Sequence, residues 1–190
     1  EENFRPGVTW PRRTNGLSFR AMPAGCVFGD KRPGAFVDAD GAQSLLSLVA
    51  ILNSRPFGSL VALQLARTEL AQSYEVGLIQ STTVPDLTPT DESTLAALGR
   101  RAWSIKRSLD TRTENSHAFD LPALLQSGPP SGTLAVRAVA WAERVRAADT
   151  ELAAIQAEID DRSFDLYRIS DEARKATTEG FGAAAPGSAP

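Results

Sequence analysis

One cysteine, Cys26, and one histidine, His117, are all this 190-residue chain carries of two residue types that serve disulfides, zinc and nucleophilic catalysis. An internal disulfide is excluded, and so are the usual Cys/His zinc sites. That scarcity fits a reducing cytoplasm. His117 follows Asn115 and Ser116 in a polar stretch and reads as solvated surface, while Cys26, between Gly25 and Val27 in an expected apolar strand, reads as a small buried hydrophobe rather than a nucleophile. Long apolar runs are also missing. The longest, around Leu45 to Leu52, is interrupted by Ser47 and falls well short of the roughly 20 residues a membrane-spanning helix needs, so no membrane partner is expected. There is no Gly-rich phosphate or dinucleotide loop of the right form, no Gly-x-Ser-x-Gly elbow and no His-Glu-x-x-His pair. The carboxylate pair Asp160-Asp161 falls late in a charged helical stretch, where solvation or a helix dipole explains it. Nothing here supports autonomous catalysis.

Positive charge is in deficit as well: 20 Lys and Arg stand against 23 Asp and Glu, a formal net charge of -3. Such a balance argues against nucleic acid, whose affinity comes from clustered cations. The distribution of the charges points the other way. Arg5, Arg12, Arg13, Arg20, Lys31 and Arg32 are set against Asp30 alone between Asn3 and Arg32, whereas Glu151, Glu158, Asp160 and Asp161 crowd into a later helical stretch. The amino-terminal segment is locally basic, although charges of this kind also serve simply to solvate a surface.

From Val8 to Val37 the chain is punctuated by glycine and proline, with short apolar runs such as Leu17-Ser18-Phe19 and Cys26-Val27-Phe28 between them, which predicts short strands. After an Asp40-Gly41 turn, a buried helix is expected from about Leu45 to Asn53. Pro56 interrupts it, and a second helix follows from Phe57 to about Gln72. Tyr74 to Ile79 has β-type composition, and Thr82-Thr83-Val84-Pro85 reads as extended. Thr90 with Asp91-Glu92 opens a helix to about Leu109, acidic at its positive end. Residues 110–133 form a loop with one helical turn near Leu121 to Gln126. The last long helix starts near Leu134 and runs to about Asp161. Along it Val145, Ala148, Leu152, Ile155 and Ile159, spaced by 3, 4, 3 and 4, form a seam for another helix. After Ala176 the Gly, Pro and Ala content reads as a disordered tail or linker.

With chemistry of its own excluded, recognition is what the inventory offers. Trp10-Pro11-Arg12-Arg13-Thr14-Asn15 places guanidinium forks, an amide and an indole in one turn-rich segment. Arginine grips guanine edges bidentately, asparagine does the same for adenine, and threonine holds phosphate. The same segment also reads as a core-capping tryptophan followed by two exposed arginines.

Gly7-Val8-Thr9-Trp10-Pro11-Arg12-Arg13-Thr14 and Pro23-Ala24-Gly25-Cys26-Val27-Phe28-Gly29-Asp30-Lys31 resemble the carboxy-terminal region of large adenine-specific DNA methyltransferases, the BREX-type and type IIG restriction-modification methylases. The resemblance continues through Leu48-Val49-Ala50-Ile51-Leu52-Asn53-Ser54 and Ser73-Tyr74-Glu75-Val76-Gly77-Leu78-Ile79-Gln80. A fainter echo lies at Asp165-Leu166-Tyr167-Arg168, where Arg168 replaces the glycine of a Leu-Tyr-Gly motif. The family's Asn-Pro-Pro-Tyr-type loop and its Gly-rich loop for S-adenosylmethionine do not occur here. The resemblance therefore implies a target-recognition piece of a larger enzyme, in keeping with a chain that opens on Glu1 with no signal core. The missing catalytic domain would flip the adenine and bind S-adenosylmethionine, and no cofactor is expected in this fragment.

The expectation is an α+β chain. It divides into a target-recognition domain over 3–90, a helical bracing region over 91–176 and a disordered tail or linker over 177–190. Its partners are double-stranded DNA, the remainder of the parent methyltransferase and other defence-system subunits. Arg12, Arg13 and Asn15 are the candidates for base edges, Arg20 and Lys31 for phosphates, and Thr14, Tyr74 and Gln80 complete the expected DNA-binding set. The rival expectation is a helical protein-protein interaction module working through the Val145 to Ile159 seam. Gathering of the basic residues on one face favours the first, and exposure of the seam favours the second.

Overall fold

The computed structural model describes residues 4–27, 29, 31–37, 41–65, 73–129 and 131–180, without the side chains of 179 and 180. Among them the architecture is α+β: one small antiparallel sheet and seven helices. Three short strands, β1 (Gly7–Thr9), β2 (Arg20–Met22) and β3 (Gly34–Ala35), are ordered β2-β1-β3. In the register Gly7 faces Met22, and Thr9 faces Arg20 on one side and Gly34 on the other. The central strand is pinched at Gly7, where a Cβ would lie 2.8 Å from the Ala35 carbonyl oxygen and 2.9 Å from the Phe36 ring. Cys26 belongs to no strand. It is half-buried in a loop beside an exposed Val27, so it is not the fully buried strand residue the sequence suggests. Phe28 and Asp30 lie outside the described residues, as does the turn residue Asp40.

Helices α1 (Ala42–Leu52) and α2 (Arg55–Leu65) are bent 58° from one another. Pro56 does not break a helix but sits in the first turn of α2, where its missing N–H would have no partner anyway. The second helix expected to about Gln72 is observed through Leu65; 66–72 lie outside the described residues. No single described helix is long and apolar enough to cross a membrane.

The expected strand from Tyr74 to Ile79 is instead helix α3 (Val76–Ser81). Its β-branched and aromatic composition loses to context. Ser73 makes one isolated bridge to Arg13, and beyond it the chain turns so that Ile79 enters the core. Residues 82–88 then run without helix or strand to α4 (Pro89–Asp110). Its cap is Thr88 rather than Thr90: the Thr88 hydroxyl accepts from the Asp91 N–H, the Asp91 carboxylate reaches back, and Pro89 takes the first position. After the short α5 (Ala123–Gln126), α6 (Leu134–Leu166) starts on a Thr133 cap and runs antiparallel to α4, as the Arg101–Glu151 ion pair (2.6 Å) and Arg112 over the Trp141 ring (5.8 Å) require.

At its end α6 stops in a Schellman turn. The Arg168 N–H donates to the Asp165 carbonyl and the Ile169 N–H to the Phe164 carbonyl, with Arg168 at φ 53. A further helix, α7 (Asp171–Gly180), occupies the start of the expected tail; 181–190 lie outside the described residues.

Two apolar clusters meet at α1. One joins the sheet and its loops to α1, α2 and α3 through Val8, Trp10, Phe19, Leu45, Leu52, Phe57, Val61, Tyr74 and Ile79. The other is aliphatic, with Ala50 and Ile51 of α1 against Leu95 and Leu98 of α4 and Ile155 and Ile159 of α6. The α1–α4 crossing is close because Gly99 lies against it: a Cβ there would stand 2.6 Å from the Leu46 carbonyl oxygen.

Candidate nucleic-acid interface

Trp10 anchors the loop that follows β1. It is 2% exposed, tilts against Phe19 at 5.4 Å between ring centroids, and its indole Nε1–H donates to the Tyr74 carbonyl at 3.0 Å. The core-capping role of the tryptophan holds, and the arginines beyond it are carried on a rigid stem. Main-chain bonds then tie the loop on both sides. The Arg12 N–H donates to the Lys31 carbonyl (3.2 Å), and the Tyr74 N–H donates to the Arg12 carbonyl (2.7 Å). Arg13 and Ser73 form an isolated antiparallel bridge, as do Gly29 and Arg32. Residues 10–15, 29, 31–32 and 73–75, from separate stretches of the sequence, therefore share one end of the fold.

That end gathers Arg12, Arg13 and Lys31, and Arg20 opposite Thr9 stands where β1 leads into the loop. Arg13, Asn15, Arg20 and Lys31 are exposed and Thr14 is half-buried. Arg12 is held differently. Its Nε–H donates to the Glu75 carboxylate at 2.9 Å, and the two form an ion pair at 2.8 Å. The Ser73 hydroxyl also donates to Glu75 (2.6 Å), and together with Arg12 it keeps the Glu75 carboxyl below its ordinary range. Glu75 stays ionised at neutral pH and competes with any incoming phosphate for Arg12. Arg13 forms no ion pair among the described residues, which makes it the more available fork.

Tyr74 is a support and not a contact. It is 5% exposed, and burial raises its phenol pKa against an opposing backbone hydrogen bond from Leu17. Its carbonyl and N–H hold Trp10 and Arg12, while its ring fills the core. Gln80 is exposed on α3, five residues beyond Glu75, and no hydrogen bond among the described residues brings it to the loop. Glu75, Ser73 and Arg32 complete the site, although the sequence alone does not single them out. Arg32 stands in the basic run, but nothing local in sequence ties Glu75 to an arginine 63 residues away.

The seam of α6 is largely covered. Ile155 and Ile159 are buried against α1 and α4, and Val145, Ala148 and Leu152 are half-buried. Of the late carboxylates, Asp161 is solvated and pairs with Arg174, whereas Asp160 is 6% exposed and sits at the amino end of α2. There it accepts the Arg55 backbone N–H (2.8 Å) and the Gln156 side-chain amide (2.9 Å), so a carboxylate from α6 caps another helix. Exposed apolar side chains concentrate elsewhere, between Phe119 and Val139, with Leu125 62% and Leu134 69% exposed.

Among the described residues no group of three or more His, Cys, Asp and Glu could hold a metal ion. No protein-family model matches the chain, and a search of curated proteins finds no relative.

Proposed function

We propose that this chain is the DNA sequence-recognition part of an adenine-specific DNA methyltransferase of the phage-defence or restriction-modification kind. In this reading it positions duplex DNA for S-adenosylmethionine-dependent N6-adenine methylation by a catalytic domain outside the chain, in the cytoplasm. One observation carries it. In a protein of net charge -3, the loop that carries Arg12 and Arg13 is held by main-chain hydrogen bonds to the segments of Lys31 and Tyr74, and Arg20 stands on β2 opposite Thr9, where β1 leads into that loop. A rigid stem with exposed forks suits base readout, because little ordering is left for the moment of binding. The α6 seam, with Ile155 and Ile159 buried and Val145, Ala148 and Leu152 half-buried, offers the rival reading little free surface. The helix end at Arg168 adds weaker support: where the resembling family has glycine, the backbone adopts a φ of 53, which glycine accepts most readily.

Anisotropy titration of the chain with labelled duplexes at low and moderate salt tests the reading. Weak binding that falls steeply with salt is expected from counterion release. Lys31→Ala should then weaken all duplexes alike. Arg13→Ala and Asn15→Ala should narrow the difference between preferred and other sequences, each lost bidentate contact being worth roughly 1–3 kcal/mol of discrimination. No binding at low salt, or binding indifferent to salt, would sink the proposal.

The second reading, a helical protein-protein interaction module in a larger complex, is favoured by the exposed Leu121, Leu125, Leu134, Val136 and Val139 around α5 and the start of α6. Exposed apolar clusters of this kind mark contact surfaces. The two readings share a molecule without conflict if that end faces the rest of the parent enzyme and its partner subunits. Leu125→Ser combined with Val139→Ser should abolish association with a partner protein and leave DNA binding intact.

A further inference from the structure

The β1–β2 pair has two ends with different chemistry. The Thr9–Arg20 end leads to the basic loop, whereas the Gly7–Met22 end opens on a cleft of about 250 Å³ between the sheet, α1 and α4. Its floor is apolar, made by Pro6, Met22, Pro23 and Leu45, and α4 supplies Arg100 and Trp103 at its side. Trp103 keeps 44% of its surface exposed there among the described residues, a large apolar surface beside the slot. Arg107 lies two turns beyond Arg100, on the same face of α4. Both arginines are exposed, and among the described residues neither forms an ion pair, whereas their neighbour Arg101 is tied to Glu151. Among the described residues an apolar slot flanked by an indole and Arg100, with Arg107 farther along the same helix face, is thus left open on a chain that is acidic as a whole.

We infer that this cleft binds an acidic segment of a partner protein, which inserts one aromatic or long aliphatic side chain beside Trp103 and sets carboxylates on Arg100 and Arg107. The size limits the occupant. Drug-sized ligands and cofactors need roughly 300–1,000 Å³, so this cleft holds a single anchoring side chain. The charge selects it, since guanidinium groups with no ion pair among the described residues complement carboxylates flanking that anchor. Duplex DNA is the poorer match: its bases are stacked, and a floor of proline, methionine and leucine offers them no hydrogen bond. The inference does not rest on DNA recognition at the other end of the sheet.

Met22 is the only methionine in the sequence, so a chain carrying methionine labelled with 13C at its methyl group gives one methyl resonance, and it reports from the cleft floor. The probe is the peptide acetyl-Asp-Glu-Phe-Asp-Asp-amide. A saturable shift of the Met22 resonance is expected, with affinity reduced about tenfold when the peptide's phenylalanine is replaced by serine or when the protein carries Arg100→Gln. Arg107→Gln should weaken binding less. Trp103→Ala should weaken it as well, and Arg100→Gln, a change at an exposed position, keeps the test valid if Trp103→Ala fails to fold. No shift at millimolar peptide overturns the inference, and so does an affinity unchanged by Arg100→Gln. A Met22 shift produced by a DNA duplex and abolished by Arg100→Gln would overturn it in favour of nucleic acid.

Discussion

The two clusters on either side of α1 are stabilised by different means. On the sheet side, where regular structure is scarce, side chains hydrogen-bond the main chain. Asn53 accepts from the Phe19 N–H and donates to the Phe19 carbonyl, both at 2.9 Å; Thr9 donates to the Pro33 carbonyl, and Trp10 to the Tyr74 carbonyl. On the helical side most backbone groups are satisfied inside helices, with side chains needed chiefly at helix ends, as where Asp160 accepts the Arg55 N–H and Gln156 donates to the Asn53 carbonyl, and aliphatic packing with a close approach at Gly99 supplies the rest. A loop-rich region must find a partner for each buried polar group one at a time, whereas a helix finds them by repetition. The sheet side is therefore the more sensitive to loss of a single polar atom, and the helical side to a gain in volume.

The largest effect should come from the aromatic cluster. Phe57 is fully buried and meets the Phe19 ring edge-on at 5.8 Å. Phe57→Ala should lower unfolding free energy by about 3–5 kcal/mol in urea titrations. Because α1 serves both clusters, fluorescence and circular dichroism should report one shared transition; two separated transitions would show that the regions fold independently.

Gly99→Ala probes the helical side by the opposite change, driving a methyl group into the Leu46 carbonyl. Overpacking of this sort costs about 1–3 kcal/mol, and a neutral result would mean that the α1–α4 crossing can relax. Asn53→Ala removes one polar group and strands two at Phe19, for an expected loss of about 1–2 kcal/mol. If it proves milder than an alanine substitution at Gln156, a polar residue on the helical side, the contrast between the two sides fails.

Arg168→Gly should instead stabilise, by about 1 kcal/mol, since a non-glycine residue in the left-handed region carries strain. The gain would appear as a raised melting temperature. The smallest effect is expected from Tyr167, whose hydroxyl donates to the Thr83 carbonyl at 2.9 Å and whose pKa burial pushes up to about 12 from an ordinary 10.0. A raised folded-state value favours the neutral form. Its stabilisation is complete below pH 10 and is lost as pH climbs toward 12, so the wild type should weaken over that interval more than Tyr167→Phe does.

Much of the helical half is legible in the sequence because its signals are local. The start of α6 near Leu134, the extended run before α4 and the single turn at α5 follow from residues within one turn of each boundary. Misreadings arise where distant contacts decide. Val76 to Ile79 has strand composition but no strand to pair with among the described residues. α7 sits beside a Gly- and Pro-rich end that masks its acidic first turn, Asp171-Glu172. The candidate site shows the same division: the basic segment is visible as a run of letters, but its closure by Ser73, Tyr74 and Glu75 depends on bonds across more than 60 residues.

The way the loop after Trp10 is held has a consequence for its variation. Lys31, Arg12 and Tyr74 are joined there through their amides and carbonyls, groups that nearly every amino acid supplies. Loop shape is thus largely uncoupled from side-chain identity at Arg13, Asn15 and Lys31, and these positions can change letter without refolding their surroundings. Arg12 is the exception, tethered to Glu75, so a lineage could exchange its neighbours one by one while Arg12 and Glu75 would have to change together.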